Sequence, residues 1–124
     1  MIPLFDAAGH PIAYADEGCR ALYSTNGNLL ALFDGELLYS PSGRYLGWVQ
    51  QGWVYDRAGR PALFAENSMG GPERPVVQRE LVKLPKRITF AKLPSKLPRW
   101  QLRPARRTRA QHWSPYSALA YFSQ

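Results

Sequence analysis

The 124 residues are 45% hydrophobic and carry a formal net charge of +7, which suits one small folded domain with a basic appendage. A single cysteine excludes an intramolecular disulfide and a thiolate metal cluster. The first residues lack the basic and apolar regions of a secretory signal, and no window approaches the roughly 18 apolar residues of a membrane span. We therefore expect a cytoplasmic protein without a transmembrane segment.

A six-residue pattern recurs four times from residue 4 onward: an aliphatic residue, an aromatic residue, Asp or Ser, two variable residues and a glycine. The first copy is Leu4-Phe5-Asp6-Ala7-Ala8-Gly9. The Asp or Ser can open a turn by accepting backbone N–H groups, and the glycine suits the positive φ at the end of such a turn. The predicted turn glycines are Gly9, Gly27, Gly43 and Gly59.

A second short strand is predicted after each turn glycine, because the run that follows is about five residues long. Its fourth residue is small in three copies (Ala13, Ala31 and Gly47), and its fifth residue is large in all four. Neighbouring residues of a strand face opposite sides, so the small residues should mark one face, near a symmetry axis. Leu63 breaks this rule, and we expect the fourth copy to differ there. The prediction is an all-β domain over residues 1–69, with four pseudo-symmetric β-hairpins closed around an axis.

A basic segment follows the repeats. Residues 70–124 carry twelve Lys or Arg against two Glu, whereas residues 1–69 carry four against seven acidic residues. After a Gly70-Gly71-Pro72 linker, residues 76–82 are predicted to add a strand, and the remainder of a Pro-rich segment over 70–112 should be extended.

The basic side chains of this segment are candidate contacts for an anionic partner, either nucleic acid or an acidic lipid headgroup. The alternative is a tail that is solvated or docks on its own chain. The candidate residues are Arg99, Arg103, Arg106, Arg107 and Arg109.

The last segment, residues 113–124, is predicted to form a short helix or turn. Ser114 can act as the N-cap and Pro115 suits the first helical position. We expect the segment to dock on an apolar face of the repeats; the alternatives are a motif for a protein partner, and use of that apolar face by a lipid or small apolar ligand. The candidate residues are Trp48, Trp53, Phe64, Trp113 and Phe122.

The repeat resembles that of the bacterial 4-fold β-flower proteins, in which an aliphatic-aromatic-Asp-x-x-Gly-Arg unit is followed by a small residue and an aromatic residue. Tyr55-Asp56-Arg57-Ala58-Gly59-Arg60 and Arg44-Tyr45-Leu46-Gly47-Trp48 match this form, and the basic Pro-rich segment and Trp113-Ser114 match the end of the family pattern. The first copy departs from it, with His10 where two other copies have Arg. The resemblance implies a shallow, pseudo-fourfold flower of hairpins, and no established biochemical role.

Few residues point to chemistry. His10 and His112 have no His, Cys or acidic neighbour at ligand spacing, so we expect no metal site and no cofactor. The glycines recur at turn spacing, unlike those of a phosphate-binding loop. The leading hypothesis is a non-enzymatic interaction or scaffold module. A lipid or small apolar ligand-binding domain is the alternative, and an enzyme is the third possibility.

Overall fold

A computed structural model describes residues 1–16, 18, 20–82, 110 and 112–124. Eight antiparallel strands follow one another around a closed barrel, in which each strand pairs with the next and β8 returns to β1. The strands are β1 (Ile2–Phe5), β2 (Pro11–Ala15), β3 (Ala21–Tyr23), β4 (Leu29–Asp34), β5 (Leu37–Tyr39), β6 (Tyr45–Gln50), β7 (Trp53–Asp56) and β8 (Pro61–Phe64). The predicted all-β fold of four closed hairpins is confirmed.

The four repeated turns have the geometry that the glycine pattern predicts. The turn glycines have φ of 80°, 84°, 93° and 83°, and each donates its N–H to the carbonyl of the residue that opens the turn. Asp6 Oδ1 accepts the N–H groups of Ala8 and His10, and Ser24 Oγ accepts that of Asn28. The short polar side chain therefore satisfies donors that the strand ladder leaves unpaired.

Every hairpin carries a β-bulge at the same position. In the first, Leu4 lies opposite Ala13 and Phe5 opposite Pro11, so that Ile12 is the extra residue. The same shift recurs in the other three hairpins. A bulge increases the local twist of the strand. Four bulges in phase account for the tight curvature of a barrel with strands of only 3 to 6 residues.

The barrel interior contains the aliphatic and small residues of the repeat. Their cluster includes Leu4, Ala13, Leu22, Ala31, Leu38, Leu46, Val54, Ala62 and Leu63. The fourth copy exchanges a large and a small side chain: Ala62-Leu63 stands where the third copy has Leu46-Gly47. Because both positions point into the interior, Leu63 is accommodated there without any change of strand pairing.

Aromatic residues cover the outside of the barrel, and most of them are buried. One cluster contains Phe5, Leu37, Tyr39, Tyr45, Trp48, Trp53, Tyr55 and Phe64, with Val77, Val82 and Trp113 packed against it. Adjacent strand residues thus face either the aliphatic interior or an aromatic outer layer. Both layers exclude water, and the strands are accordingly apolar on both faces.

The predicted strand over residues 76–82 is wrong. This stretch has no strand pairing, Arg79–Leu81 form a short 3-10 helix, and Val76 is 88% exposed. The closed barrel offers no strand edge to which the stretch could be added. It is held instead by a hydrogen bond from the N–H of Gln78 to the carbonyl of Gly9.

The C-terminal segment forms a 3-10 helix over Ala118–Ser123, which confirms the predicted short helix or turn, although the helix begins three residues after Pro115. Ser114 lies four residues before this helix, whose N-cap residue is Ser117; the Ser114 hydroxyl accepts the N–H of Tyr116 at 3.0 Å and donates to Asp56 Oδ2 at 2.6 Å. In the described part of the chain, no helix is long and apolar enough to cross a membrane. The expected extended form of residues 83–109 lies outside the described residues.

Candidate functional site

The barrel has two unlike ends. One end carries the four Asp/Ser-x-x-Gly turns and is covered by the C-terminal segment; we call it the closed end. The other carries the β4–β5 and β6–β7 loops and the chain that leaves β8; we call it the open end. The barrel interior is covered at the closed end and accessible at the open end.

Tyr121 fills the interior at the closed end. Its side chain is 0% exposed and belongs to the cluster that contains Leu4 and Val54. The hydroxyl donates to the carbonyl oxygen of Tyr55 at 2.8 Å. A Cβ on Gly47 would overlap that carbonyl oxygen and would lie 2.5 Å from the Tyr121 hydroxyl. Glycine at position 47, where two other copies have alanine, makes room for the Tyr121 side chain.

Tyr121 is held in its neutral form. Burial raises its pKa well above the ordinary value of 10.0, and the charges of Tyr45 and Asp56 raise it further. Desolvation disfavours the phenolate because the interior offers it no water. The hydroxyl is therefore a hydrogen-bond donor at all physiological pH values.

Three polar side chains anchor the C-terminal segment at the closed end through four hydrogen bonds. Ser114 donates to Asp56, as described above; Ser117 Oγ donates to the carbonyl of Ala62 and accepts the N–H of Ala7. Gln124 Nε2 donates to the carbonyl of Leu46. The contacts reach three strands and one turn, which fixes the position of Tyr121 between them.

Asp56 is the centre of the strongest of these contacts. The carboxylate is 0% exposed and accepts from Arg60 Nε at 2.9 Å as well as from Ser114 Oγ. Its other oxygen accepts the N–H groups of Ala58 and Arg60. A buried carboxylate is tolerated only with this degree of pairing.

An apolar cavity of about 380 Å³ opens at the other end of the barrel. Leu4 and Val54 are among its lining residues. The walls and rim are Ile2, Ala15, Phe33, Gly35, Glu36, Val49, Gln50, Gln51, Gly52, Ala65 and Asn67. Since Leu4 and Val54 also pack in the cluster that contains Tyr121, the cavity and the Tyr121 side chain occupy opposite halves of one interior.

The rim of the cavity is polar but not cationic. Gln50, Gln51 and Asn67 contribute amides and Glu36 a carboxylate, and none of the described residues that line the cavity is basic. Gln50 pairs with Trp53, which leaves Gln51 and Gly52 as a two-residue turn with φ of 52° and 82°. Asn, Asp or Gly usually fills such turns. Gln51 therefore lies at the rim in a backbone conformation that favours Asn, Asp or Gly.

The predicted aromatic site residues lie on the outside of the barrel, away from this cavity. Trp113 packs edge-on against Trp53 and Phe64, with ring centroids 5.5 and 6.0 Å apart. Trp48 stacks on Tyr55 and is 3% exposed, and Phe122 contacts the ring of Tyr121.

The predicted linker is part of the same layer, because Gly71 packs directly against the indole of Trp53. These aromatic residues cover one another and the C-terminal segment. Arg99, Arg103, Arg106, Arg107 and Arg109 lie outside the described residues.

The sequence reasoning did not identify the cavity residues. Ala15, Phe33, Val49 and Ala65 stand at one repeat position, two residues beyond the small residues of the strand. Period-two alternation places them on the same interior face as Ala13 and Ala31. The sequence does indicate these residues, because the position is apolar in all four copies. It was missed because the second strand of each repeat is expected to end near it.

Candidate metal ligands are sparse. His10 Nδ1 lies 4.0 Å from Asp6 Oδ2, and within residues 1–16, 18, 20–82, 110 and 112–124 no three His, Cys, Asp or Glu residues form a group that could hold a metal ion. The apolar cavity at the open end, whose lining belongs in part to the interior cluster, is the candidate ligand site.

Comparison with known families gives one match. The family described as 4-fold beta flower protein matches residues 2–122, nearly the whole sequence. No curated protein and no solved structure matches the chain significantly. The match thus covers the barrel, the basic segment and Tyr121 together.

Proposed function

Because the chain belongs to the 4-fold beta flower protein family, whose name specifies an architecture and not an activity, we propose a function from the geometry: a non-enzymatic binding module whose open end takes up a small apolar ligand. One observation carries this proposal. The barrel interior is filled by Tyr121 at one end and opens into an apolar cavity at the other.

The cavity size fits this role. Ligand pockets commonly measure about 300–1,000 Å³, and the 380 Å³ found here lies in the lower part of that range. Barrels of eight strands are the smallest that can hold one small ligand in their interior. A single hydrocarbon chain or a small ring compound is the matching size class.

The rim chemistry narrows the ligand further. Amides from Gln50, Gln51 and Asn67 can bond a hydroxyl or carbonyl group, whereas a carboxylate would lie near Glu36 with no basic side chain among the described lining residues. Desolvating an anion without a cationic partner is costly. The proposed ligand class is therefore an uncharged amphiphile: an apolar chain with a hydroxyl or carbonyl end.

A direct test is titration of the full chain with 1-hexanol, followed by amide NMR shifts. We expect shifts at Val49, Gln50, Gln51 and Ala65, and binding of hexanoate at least about tenfold weaker than that of the alcohol. Val49→Phe fills the cavity and should weaken alcohol binding about tenfold or more. The matched control is Leu119→Phe, since Leu119 is 55% exposed at the closed end.

Two results would contradict the proposal. One is an absence of saturable shifts with 1-hexanol and with longer and shorter alkanols. The other is equal loss of binding in the Val49 and Leu119 variants, because a cavity ligand cannot respond to a side chain at the opposite end.

We also propose an anionic partner for the basic segment, on the observation that residues 70–124 carry twelve basic and two acidic side chains. Lys and Arg clusters bind polyanions by displacing counterions, so affinity depends on salt. The two proposals are independent, because the cavity lies among residues of the barrel, and of the described residues after β8 only Ala65 and Asn67 line it.

Binding of the protein to single-stranded RNA and to anionic vesicles tests the second proposal. Affinity should fall about tenfold or more between 50 and 200 mM salt if several phosphates are contacted. Glutamine at Arg103, Arg106 and Arg107 should reduce both the affinity and the salt dependence. The matched control places glutamine at three barrel positions: Arg20, Arg44 and Arg57. Salt-independent binding, or equal effects of the two triple variants, would refute the proposal.

A further inference from the structure

Resting on the proposed apolar ligand site, we infer that Tyr121 sets the length of ligand that the barrel accepts. The residue lies outside the cavity wall and outside the repeats. It enters the interior from the C-terminal 3-10 helix and occupies the half that a longer ligand would need. Ligand length is thus determined by a side chain that approaches from the closed end.

The order of residues along the barrel axis supports this assignment. The cavity lining at the open end includes Ala15, Phe33, Val49 and Ala65, together with Val54, which pairs with Val49, and Leu4, which pairs with Ala13, two residues from Ala15 towards the closed end. Val54 pairs with Leu63, and in the neighbouring hairpin Leu38 pairs with Gly47 at the equivalent level. The Tyr121 hydroxyl reaches this level, since it lies against Gly47 and the Tyr55 carbonyl.

No other side chain in the described interior both comes from outside the repeats and occupies the half of the interior that a longer ligand would need. Leu4 and Val54 line the cavity and belong to the same interior cluster as Tyr121, but both are aliphatic and can change rotamer if space opens beside them. The phenol ring is held from behind by the anchors of the C-terminal segment at Ala62 and Leu46. Shortening the side chain at position 121 therefore extends the cavity without removing any of its lining residues.

The test is a homologous series of 1-alkanols from butanol to dodecanol, titrated into the wild-type protein and two variants. Each buried methylene should strengthen binding about fourfold until the chain meets Tyr121, after which affinity stops rising. Tyr121→Phe removes only the hydroxyl and should move this cut-off by about one methylene, because close-packed interiors respond to single-atom changes of volume. Tyr121→Leu should move it by about two to four methylenes.

The position of the cut-off separates this role from a merely structural one. A variant that only loosens the barrel would change the affinity of all chain lengths by a similar factor and leave the cut-off in place. That result would overturn the inference while the proposed function stands. Failure of the wild-type protein to bind any alkanol would overturn both. If Tyr121→Leu does not fold, Tyr121→Phe still decides, since it retains the ring.

Discussion

Replacing Asp56 with alanine is expected to lower the free energy of unfolding by about 3 to 4 kcal/mol. The carboxylate is fully buried and accepts four hydrogen bonds, from Ser114 Oγ, from Arg60 Nε and from two backbone N–H groups. Alanine leaves these donors in a site without water, and the anchor of the C-terminal segment is lost with them. Urea unfolding followed by tryptophan fluorescence measures the change, because Trp53 and Trp113 pack together beside this anchor.

Asp6→Ala is the matched control for this substitution. Asp6 opens the equivalent turn of the first repeat and accepts the two equivalent backbone N–H groups, while its Oδ2 lies 4.0 Å from His10 Nδ1 instead of accepting from an arginine. Its removal should cost about 1 to 2 kcal/mol, the usual value for a side chain that caps backbone donors. Equal losses for the two variants would show that Ser114 and Arg60 contribute nothing beyond the turn.

Tyr121→Ala is expected to destabilise the protein by about 3 to 5 kcal/mol, since it removes a fully buried aromatic side chain from the interior. The loss should appear as a lower urea midpoint together with weaker protection of the closed-end amides from exchange. Tyr121→Phe, the control, loses only the hydrogen bond to the Tyr55 carbonyl and should cost about 1 kcal/mol.

The pH dependence of stability supplies an independent check on Tyr121. An unfolded tyrosine ionises near its ordinary pKa of 10.0, whereas the folded pKa of Tyr121 is raised well above it. Above about pH 10 the unfolded state therefore releases this proton first, and stability falls as pH rises. Tyr121→Phe should flatten that fall between pH 9 and 11. An unchanged slope would mean that the side chain is hydrated in the folded protein.

The repeat made the barrel predictable from the sequence. Turn chemistry is local: an Asp or Ser followed three residues later by Gly specifies the same bend wherever it occurs, and four copies in phase leave few ways to pair the strands. The small residues Ala13, Ala31 and Gly47 also indicated correctly which face is most crowded. Local rules agreed with the global fold here, as they do in sequences that fold to one structure.

The closed end was not predictable from such rules. Tyr121 reaches the Tyr55 carbonyl across 66 residues, and Ser114 reaches Asp56 across 58. No periodicity connects the C-terminal segment to the repeats, so the capping pattern of Ser114 predicts its local bond to the N–H of Tyr116 but not its bond to Asp56. A hint existed at Gly47, where the repeat loses a methyl group that Ala13 and Ala31 keep. That extra space is occupied by a residue from outside the repeat.

The aromatic residues show a further limit of prediction from the sequence. Trp48, Trp53 and Phe64 were considered as a ligand-binding face because aromatic residues often line such sites. An aromatic layer that is covered by the rest of the chain has the same composition, and the sequence does not distinguish such a covered layer from an open binding face. The apolar residues of the open end, by contrast, look unremarkable in sequence because Ala15 and Ala65 are small.

The hydroxyl of Ser117 joins the two strands at which the barrel closes, since it contacts Ala62 of β8 and the N–H of Ala7, just after β1. During synthesis all eight strands are made before this residue, because Ser117 lies 53 residues beyond Phe64, the last residue of β8. At roughly 5–20 residues per second that interval lasts several seconds. Until Ser117 has been made, its hydroxyl cannot bridge β1 and β8, and the strand pairing that joins them among the described residues is that of Phe5 with Phe64. The C-terminal segment does not yet cover the closed end, so the interior of the nascent barrel is open at both ends.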